Sequence, residues 1–354
     1  MRLRIAQLAP PFESVPPIGY GGTERVVSTL TEELVRRGHD VTLFASGDSD
    51  TVATLAPQRD QAIRLDPEPL KSDLAAHLSM LHEVRRRSSE FDVIHFHVDL
   101  LQFPLFGDIA ARTVTTLHGR LDLKDLPEAY RCWPQFPLVS ISDHQRRPLR
   151  FGNWAGTVHH GLPADRFAFS ARANGGYLAF LGRISPEKRP DRAIAIARAA
   201  GLPLKIAAKV DNADAAYFRE QIEPLLADPS IEFIGEIGDD EKSRFLGDAV
   251  ALLFPIDWPE PFGLVMIEAM ACGTPVIAWR CGSVPEVVDD GLTGRIVNSE
   301  AEAAAAVAEV AGYDRAAIRA TFERRFSARI MALNYEALYR RVQPARGVEA
   351  LRLA

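Results

Sequence analysis

Sulfur is scarce in this chain: three cysteines, Cys132, Cys272 and Cys281, in 354 residues. They are far apart and form no Cys-x-x-Cys pair, which excludes a readable disulfide framework or zinc knuckle and points to a reducing, cytoplasmic home. Long hydrophobic runs are missing as well, since no stretch approaches the roughly 18 to 20 apolar residues that span a bilayer. The opening "MRLRIAQLAPP" is too short and too broken, by Gln7 and two prolines, for the apolar region of a signal peptide. A soluble protein is expected, with room for no more than a peripheral membrane contact. Positive charge is not in excess either: 41 Lys and Arg face 47 Asp and Glu, a net charge of -6. An acidic surface attracts neither nucleic acid nor anionic lipid, so any anionic ligand needs a local site.

What the chain does have is an ordinary globular mix, 47% hydrophobic and 25% charged, over a length that exceeds one core and favours two domains. Short apolar runs alternate with amphipathic stretches, as in "LRIAQLA", "TERVVSTLTEELVRRG" and "DVTLFAS", followed by "DVIHFHV", "RTVTTLH" and "PLVSIS". This is the pattern of an α/β parallel sheet wound with helices. It restarts at "GYLAFLGR" and continues through "LPLKIAAK", "IEFIGEI", "AVALLFPI" and "PVIAWR", so a second Rossmann-like domain is expected. The polar, Gly-rich "FAFSARANGG" (167 to 176) reads as a linker, giving domains at 1–165 and 166–325. The last stretch, from 326, reads as a long amphipathic helix outside both repeats.

The segment "PEPFGLVMIE" (259 to 268) places Glu260 before an apolar helix and Glu268 two turns inside it. A helix starting at about Phe262 or Gly263 presents free amides that suit phosphate. From Phe262 to Glu268 such a helix spans about 9 Å, comparable with a sugar–diphosphate–ribose ligand. Either glutamate could be a solvated surface residue, but Glu268 lies in the apolar "LVMIEAMACG", where an unpaired buried carboxylate is costly. In "LGRISPEKRPD", Arg183 closes a strand and Lys188 follows a turn, two cations placed for a diphosphate. In "GYGGTERVV", Gly21 and Gly22 allow a tight turn and Thr23 can cap the next helix, and the three are expected on the donor side, where such a turn can touch phosphate or acceptor.

These segments together resemble the retaining glycosyltransferases of family 4: "EPFGLVMIE" is similar to their E-x7-E motif and "LGRISPEK" to their G-R-x-x-x-x-K segment. The Gly-rich loop and "GSVPEVVDDGLTGRIV" (282 to 297) extend the similarity along nearly the whole chain. The resemblance implies a GT-B fold with two facing Rossmann-like domains and a metal-independent site, with no cofactor. It implies that the terminal helix, 326–354, packs back on the first domain. It also implies a nucleoside diphosphate sugar as donor and retention of anomeric configuration. Arg183 and Lys188 would neutralise the leaving diphosphate together with the amides of Phe262, Gly263 and Leu264, Glu260 would hold the sugar and Glu268 the ribose. His118, at the end of "TVTTLHG", matches a histidine beside the transferred sugar. Lys209 is a further donor-side cation, and "FIGEIG", with Glu236 in it, is where the base would rest.

His95 and His97 share one side of a strand, and with His118 they raise the question of zinc, but no acidic or cysteine ligand completes a set. "DSD" (48 to 50) tempts towards a metal-binding DxD and is set aside as a chance pattern. The acceptor is expected in the first domain, lined by "HVDLLQF" and "RCWPQFP", with His97, Asp99 and Trp133 as contacts. Family members described as glucosylating tetrahydrobiopterin have sequences of this general look, which makes UDP-glucose the first donor to expect. A retaining hydrolase is disfavoured because its two carboxyl groups should stand roughly 5 Å apart. A Rossmann dehydrogenase lacks its G-x-G-x-x-G after the first strand. A non-catalytic nucleotide-sugar sensor would keep the donor contacts and lose turnover.

Overall fold

The computed structural model describes residues 2–19 and 21–342. It divides into two compact units, one built from the chain up to Gly161 together with the segment from Ala328 on, the other from Leu162–Ser327. Each is a parallel sheet covered by helices. Helices of eight residues or more are numbered here, among the described residues, as α1 (Gly22–Arg36), α2 (Asp73–Arg86), α3 (Pro190–Ala200), α4 (Asp239–Gly247), α5 (Leu264–Ala271), α6 (Glu300–Val310), α7 (Arg315–Phe326) and α8 (Ala328–Val342).

The first unit carries β1 (Arg4–Leu8), β2 (Asp40–Ala45), β3 (Thr54–Pro57), β4 (Val93–Phe96), β5 (Thr113–Thr116), β6 (Leu138–Ser140) and β7 (Trp154–Thr157) in the order β3-β2-β1-β4-β5-β6-β7. Strands such as β4, "VIHF", are buried throughout, as a parallel sheet covered on both faces requires. Order reverses between β1 and β4, where the carboxyl ends open a crevice. In register, Gln7 of β1 lies beside His95 of β4. Phe96, Phe103, Phe106 and Phe136 fill one layer of the core. Helix α8 belongs to this unit and buries Met331, Ala332, Tyr335, Leu338 and Tyr339. Its Glu336 pairs with Arg37, just after α1, and with His39 at 3.1 Å. The helix expected from the sequence ran to 354, and 343–354 lie outside the described residues.

The second unit carries β8 (Leu178–Arg183), β9 (Leu204–Lys209), β10 (Ile231–Gly235), β11 (Ala251–Phe254), β12 (Val276–Trp279) and β13 (Gly294–Val297) in the order β10-β9-β8-β11-β12-β13. The reversal here lies between β8 and β11. Helix ends follow local chemistry: Ser299 caps α6 by accepting from Glu302 N at 3.2 Å, Asp314 caps α7, and Gly201 ends α3 at φ 68°, where only glycine is unstrained.

Three local expectations are corrected. Segment 167–176 is not a free linker: Phe167 is buried, Ser170 N donates to Cys272 O and Gly175 N to Asp248 O, so the second unit holds it. Thr23 does not cap α1, because the helix opens at Gly22, two residues earlier than a Thr23 cap requires, with Gly21 in the cap position and no side-chain cap bond. Helix α5 begins at Leu264, with Gly263 left-handed at φ 81° before it, so Phe262 and Gly263 precede the helix.

Candidate active site

In the second unit the sequence motifs converge at the carboxyl edge of the sheet. Arg183 ends β8, Lys209 ends β9, and the loop after β11 carries Glu260 into α5. Glu260 is buried, 8% exposed, and one of its oxygens accepts from both Lys188 Nζ and Trp258 Nε1, the latter at 3.0 Å. Lys188 also sits over the rings of Phe254 and Trp258, at 5.7 and 5.1 Å. Sequence reasoning placed Lys188 on the diphosphate and Glu260 on the sugar; the structure joins them in one ion pair.

The backbone around Glu260 is clamped by the segment 281 to 283. Ser283 N donates to Glu260 O at 3.0 Å and Ser283 Oγ to Phe262 O at 2.7 Å. Gly282 stands at φ 57°, where a Cβ would lie 2.4 Å from both Glu260 N and O. Glycine is required twice there, for its dihedral and for its missing side chain. Gly263 is similar: a Cβ would meet Met266 Cε at 2.8 Å and Phe254 Cζ at 3.0 Å. Phe262 is fully buried, and the first turn of α5 leaves amides that no helix carbonyl can take.

Arg183 is held by Glu187 at 2.9 Å, Asp211 at 3.3 Å and Asp214 at 3.6 Å, and Lys209 by Asp211 at 3.1 Å. Burial raises the Asp211 carboxyl, but the hydrogen bonds from Lys209 and Arg183 outweigh it and hold the group below its usual value. Glu268, 4% exposed, accepts from Lys242 Nζ at 3.2 Å, and Lys242 also meets Asp239 at 3.4 Å. The buried carboxylate singled out in the apolar helix is thus paired, as burial demands. Glu236 lies exposed just beyond β10.

In the first unit, Gly21 and Gly22 open α1, and Thr23 is half-buried in its first turn. A side chain at Gly21 would strike Pro17 Cβ at 2.7 Å, which explains the need for a small residue. His118 stands two residues past the end of β5. Its Nε2 lies 2.8 Å from His97 Nδ1, and His97 Nε2 lies 2.9 Å from Gln7 Oε1. His160 stacks on His118 at 5.3 Å. Burial pushes the imidazoles of His95, His97 and His160 well below their usual range and His118 down to about 3, so all four are neutral near pH 7. Asp99 is exposed beyond β4 at φ 55°, its carbonyl accepting from Gln102 Nε2 at 2.9 Å. Trp133 is half-buried and packs on Phe103 at 6.0 Å. Asp48 of "DSD" accepts from Ala62 N at 3.0 Å, a loop contact. Among the described residues no cluster of three or more His, Cys, Asp or Glu is arranged to hold a metal ion, and no helix is long and apolar enough to cross a membrane.

Sequence reasoning missed Lys242, Trp258, Asp211 and Asp214, which pair with motif residues from outside the motifs, and it missed Gln7 and Tyr339. Only Gln7, a polar residue inside an apolar strand, carried a visible signal.

Two parallel-sheet Rossmann-like units with these motifs at their carboxyl edges define a GT-B glycosyltransferase. The chain matches the family model "Glycosyltransferase Family 4" over residues 20–200 and "Glycosyl transferases group 1" over 163–312, and it belongs to Glycosyltransferase Family 4. It is 30% identical over 350 residues to D-inositol 3-phosphate glycosyltransferase of Saccharomonospora viridis, covering 81% of this chain and 80% of the relative. It is 28% identical over 338 residues to phosphatidyl-myo-inositol mannosyltransferase of Mycobacterium leprae, covering 87% of each. Among solved structures, Anabaena Alr3699/HepE in complex with UDP and glucose superposes with a TM-score of 0.72 at 19% identity, covering 95% of this chain and 99% of that one; this likeness is one of fold.

Proposed function

We propose that this glycosyltransferase moves a hexose, with glucose the first to test, from a nucleoside diphosphate, with UDP the first to test, to a hydroxyl of a small-molecule or glycan acceptor, retaining the anomeric configuration. The observation that carries the reading is the cation and carboxylate set of the second unit. Arg183, Lys188 and Lys209 gather at one sheet edge beside the start of α5, flanked by Glu260 and Glu268. The cations and the amides at Phe262, Gly263 and Leu264 would stabilise charge developing on the leaving diphosphate, the work a divalent ion does in other transferases, so the transfer is proposed to need no metal. Glu260 would orient sugar hydroxyls and Glu268 the ribose, while Glu236 would lie near the base. His118 would contact the sugar. Retention follows from the resemblance to family 4, with the leaving phosphate assisting attack on the same face. The unit that runs up to Gly161 and resumes at Ala328 would supply the acceptor side and the unit Leu162–Ser327 the donor side, in a cytoplasmic setting. Asp99 and Trp133 would line the acceptor side, whereas His97, expected there as a contact, has both ring nitrogens engaged by His118 and Gln7 and would act from behind His118.

The acceptor follows two leads. The relatives' names point to inositol phosphates or their lipids, and the sequence resemblance points to tetrahydrobiopterin. Both are tested in one panel, with vesicles containing phosphatidylinositol included for a peripheral membrane contact. The donor is tested by thermal shift with UDP, GDP, ADP and their glucose and mannose conjugates, followed by NMR of the product's anomeric configuration with and without EDTA. A nucleotide that stabilises the wild type but not Arg183→Ala or Glu268→Ala is the expected result. Binding without transfer to any acceptor favours the non-catalytic sensor, and no stabilisation by any nucleotide overturns the reading.

A further inference from the structure

We propose that Tyr339, Gln7 and His97 form a hydrogen-bonded relay that fixes His118 as the tautomer protonated on Nε2, leaving its Nδ1 lone pair to accept a substrate hydroxyl. The tautomer rests on geometry within the first unit; the hydroxyl rests on the sugar contact proposed above. Gln7 Nε2 donates to Tyr339 OH at 3.1 Å, which turns its Oε1 to His97 Nε2 at 2.9 Å. A carbonyl oxygen only accepts, so His97 Nε2 carries a proton. His97 is neutral, buried at 3% exposure, so its Nδ1 holds a lone pair. That lone pair lies 2.8 Å from His118 Nε2, which must therefore donate. His118 is neutral too and has no second proton.

The other end of the relay is consistent with this direction. Tyr339 OH, accepting from Gln7, donates to His95 Nδ1 at 2.7 Å, and His95 Nε2 then donates to Thr116 Oγ1 at 2.7 Å. The Thr116 hydroxyl is left to donate to Tyr335 OH at 2.9 Å. Helix α8, through Tyr339 and Tyr335, thereby orients an amide on β1 and sets the proton positions of three imidazoles. What is left over is His118 Nδ1, out of contact with solvent and without a hydrogen-bond partner among the described residues. An unsatisfied buried acceptor is unfavourable, and a hydroxyl donor is the group that relieves it. Tyr339, Gln7 and His97 act through His118 and are positioning residues.

The test uses full-length protein labelled with 15N-histidine and reads tautomers from two-bond 1H–15N correlations at pH 7.5. Protonation of both His97 and His118 on Nε2 is expected. His118 protonated on Nδ1, or averaging between both forms in the wild type, overturns the relay whatever the activity. In kinetics, His97→Leu removes the acceptor facing His118 and should lower kcat about tenfold, the size of one lost hydrogen bond, with the donor KM little changed. His97→Asn puts a carbonyl at the position of Nδ1 and should restore most of that loss together with the tautomer. Equal losses in both, with equal melting temperatures, overturn the relay. Undiminished transfer by His118→Ala overturns the sugar contact instead, while a wild-type spectrum with Nε2 protonated upholds the tautomer even if a variant fails to fold.

Discussion

Glu24 should make the protein lose stability as pH rises through neutrality. It stands in the first turn of α1 at 6% exposure. Burial pushes its carboxyl up to about 7, with a backbone hydrogen bond and Arg64 opposing and Glu13 adding repulsion. The unfolded carboxyl titrates near 4.5. Below that pH both states are protonated and the full stability is present; between 4.5 and 7 the unfolded chain releases the proton first, and stability falls as pH rises through the folded value. At 1.36 kcal/mol per pH unit the total is about 3 kcal/mol, of which about 2.5 kcal/mol falls between pH 5 and 8. Glu24→Gln keeps the shape and removes the titration. In differential scanning calorimetry the variant's melting temperature relative to wild type should rise by roughly 5 to 10 °C on going from pH 5 to 8, at about 2 to 4 °C per kcal/mol. A melting difference that stays constant between pH 5 and 8 refutes the reasoning.

Two further outcomes are expected. Gly282→Ala, whose Cβ would meet the Glu260 backbone at 2.4 Å, should lower kcat/KM at least tenfold, whereas Gly291→Ala, also at positive φ but with nothing within 4 Å, should cost only the roughly 1 to 2 kcal/mol of left-handed backbone and keep activity; equal activity in the two variants would count against the clamp on Glu260. Asp211→Asn frees Arg183 and Lys209 of a shared partner and should tighten nucleotide binding about two- to fivefold, the size of a partly exposed ion pair, and calorimetric titration showing weaker binding would refute it.

The strand and helix alternation was legible because each element is local: "VIHF" and "ALLF" read as buried parallel strands on their own residues. The motif residues were legible for the same reason, since Glu260, Gly263 and Glu268 lie within nine positions of one another. What pattern did not deliver is pairing between distant segments. Lys242 reaches Glu268 from α4, Asp211 reaches Arg183 and Lys209 from beyond β9, and Tyr339 reaches Gln7 across 332 positions. Thr23 failed as a cap because a cap depends on which residue leaves helical geometry first, and Gly21 did so. The linker failed because polarity does not show that Ser170 and Gly175 find backbone partners elsewhere in the second unit.

Those distant pairings change what donor binding must do. Every motif cation of the second unit already has a carboxylate: Lys188 has Glu260, Lys209 has Asp211, and Arg183 has Glu187, Asp211 and Asp214. A diphosphate bound there as proposed would exchange partners with carboxylates rather than meet bare charge, so the net Coulomb gain would be the difference between two ion pairs. That difference favours a ligand carrying more than one charge and held by amides at the start of α5 as well, and it disfavours a singly charged anion. Releasing Lys188 from Glu260 would also leave that buried carboxylate with Trp258 as its remaining donor in this set and with acceptor capacity unused, which would couple arrival of the phosphate to readiness of the group proposed to hold the sugar.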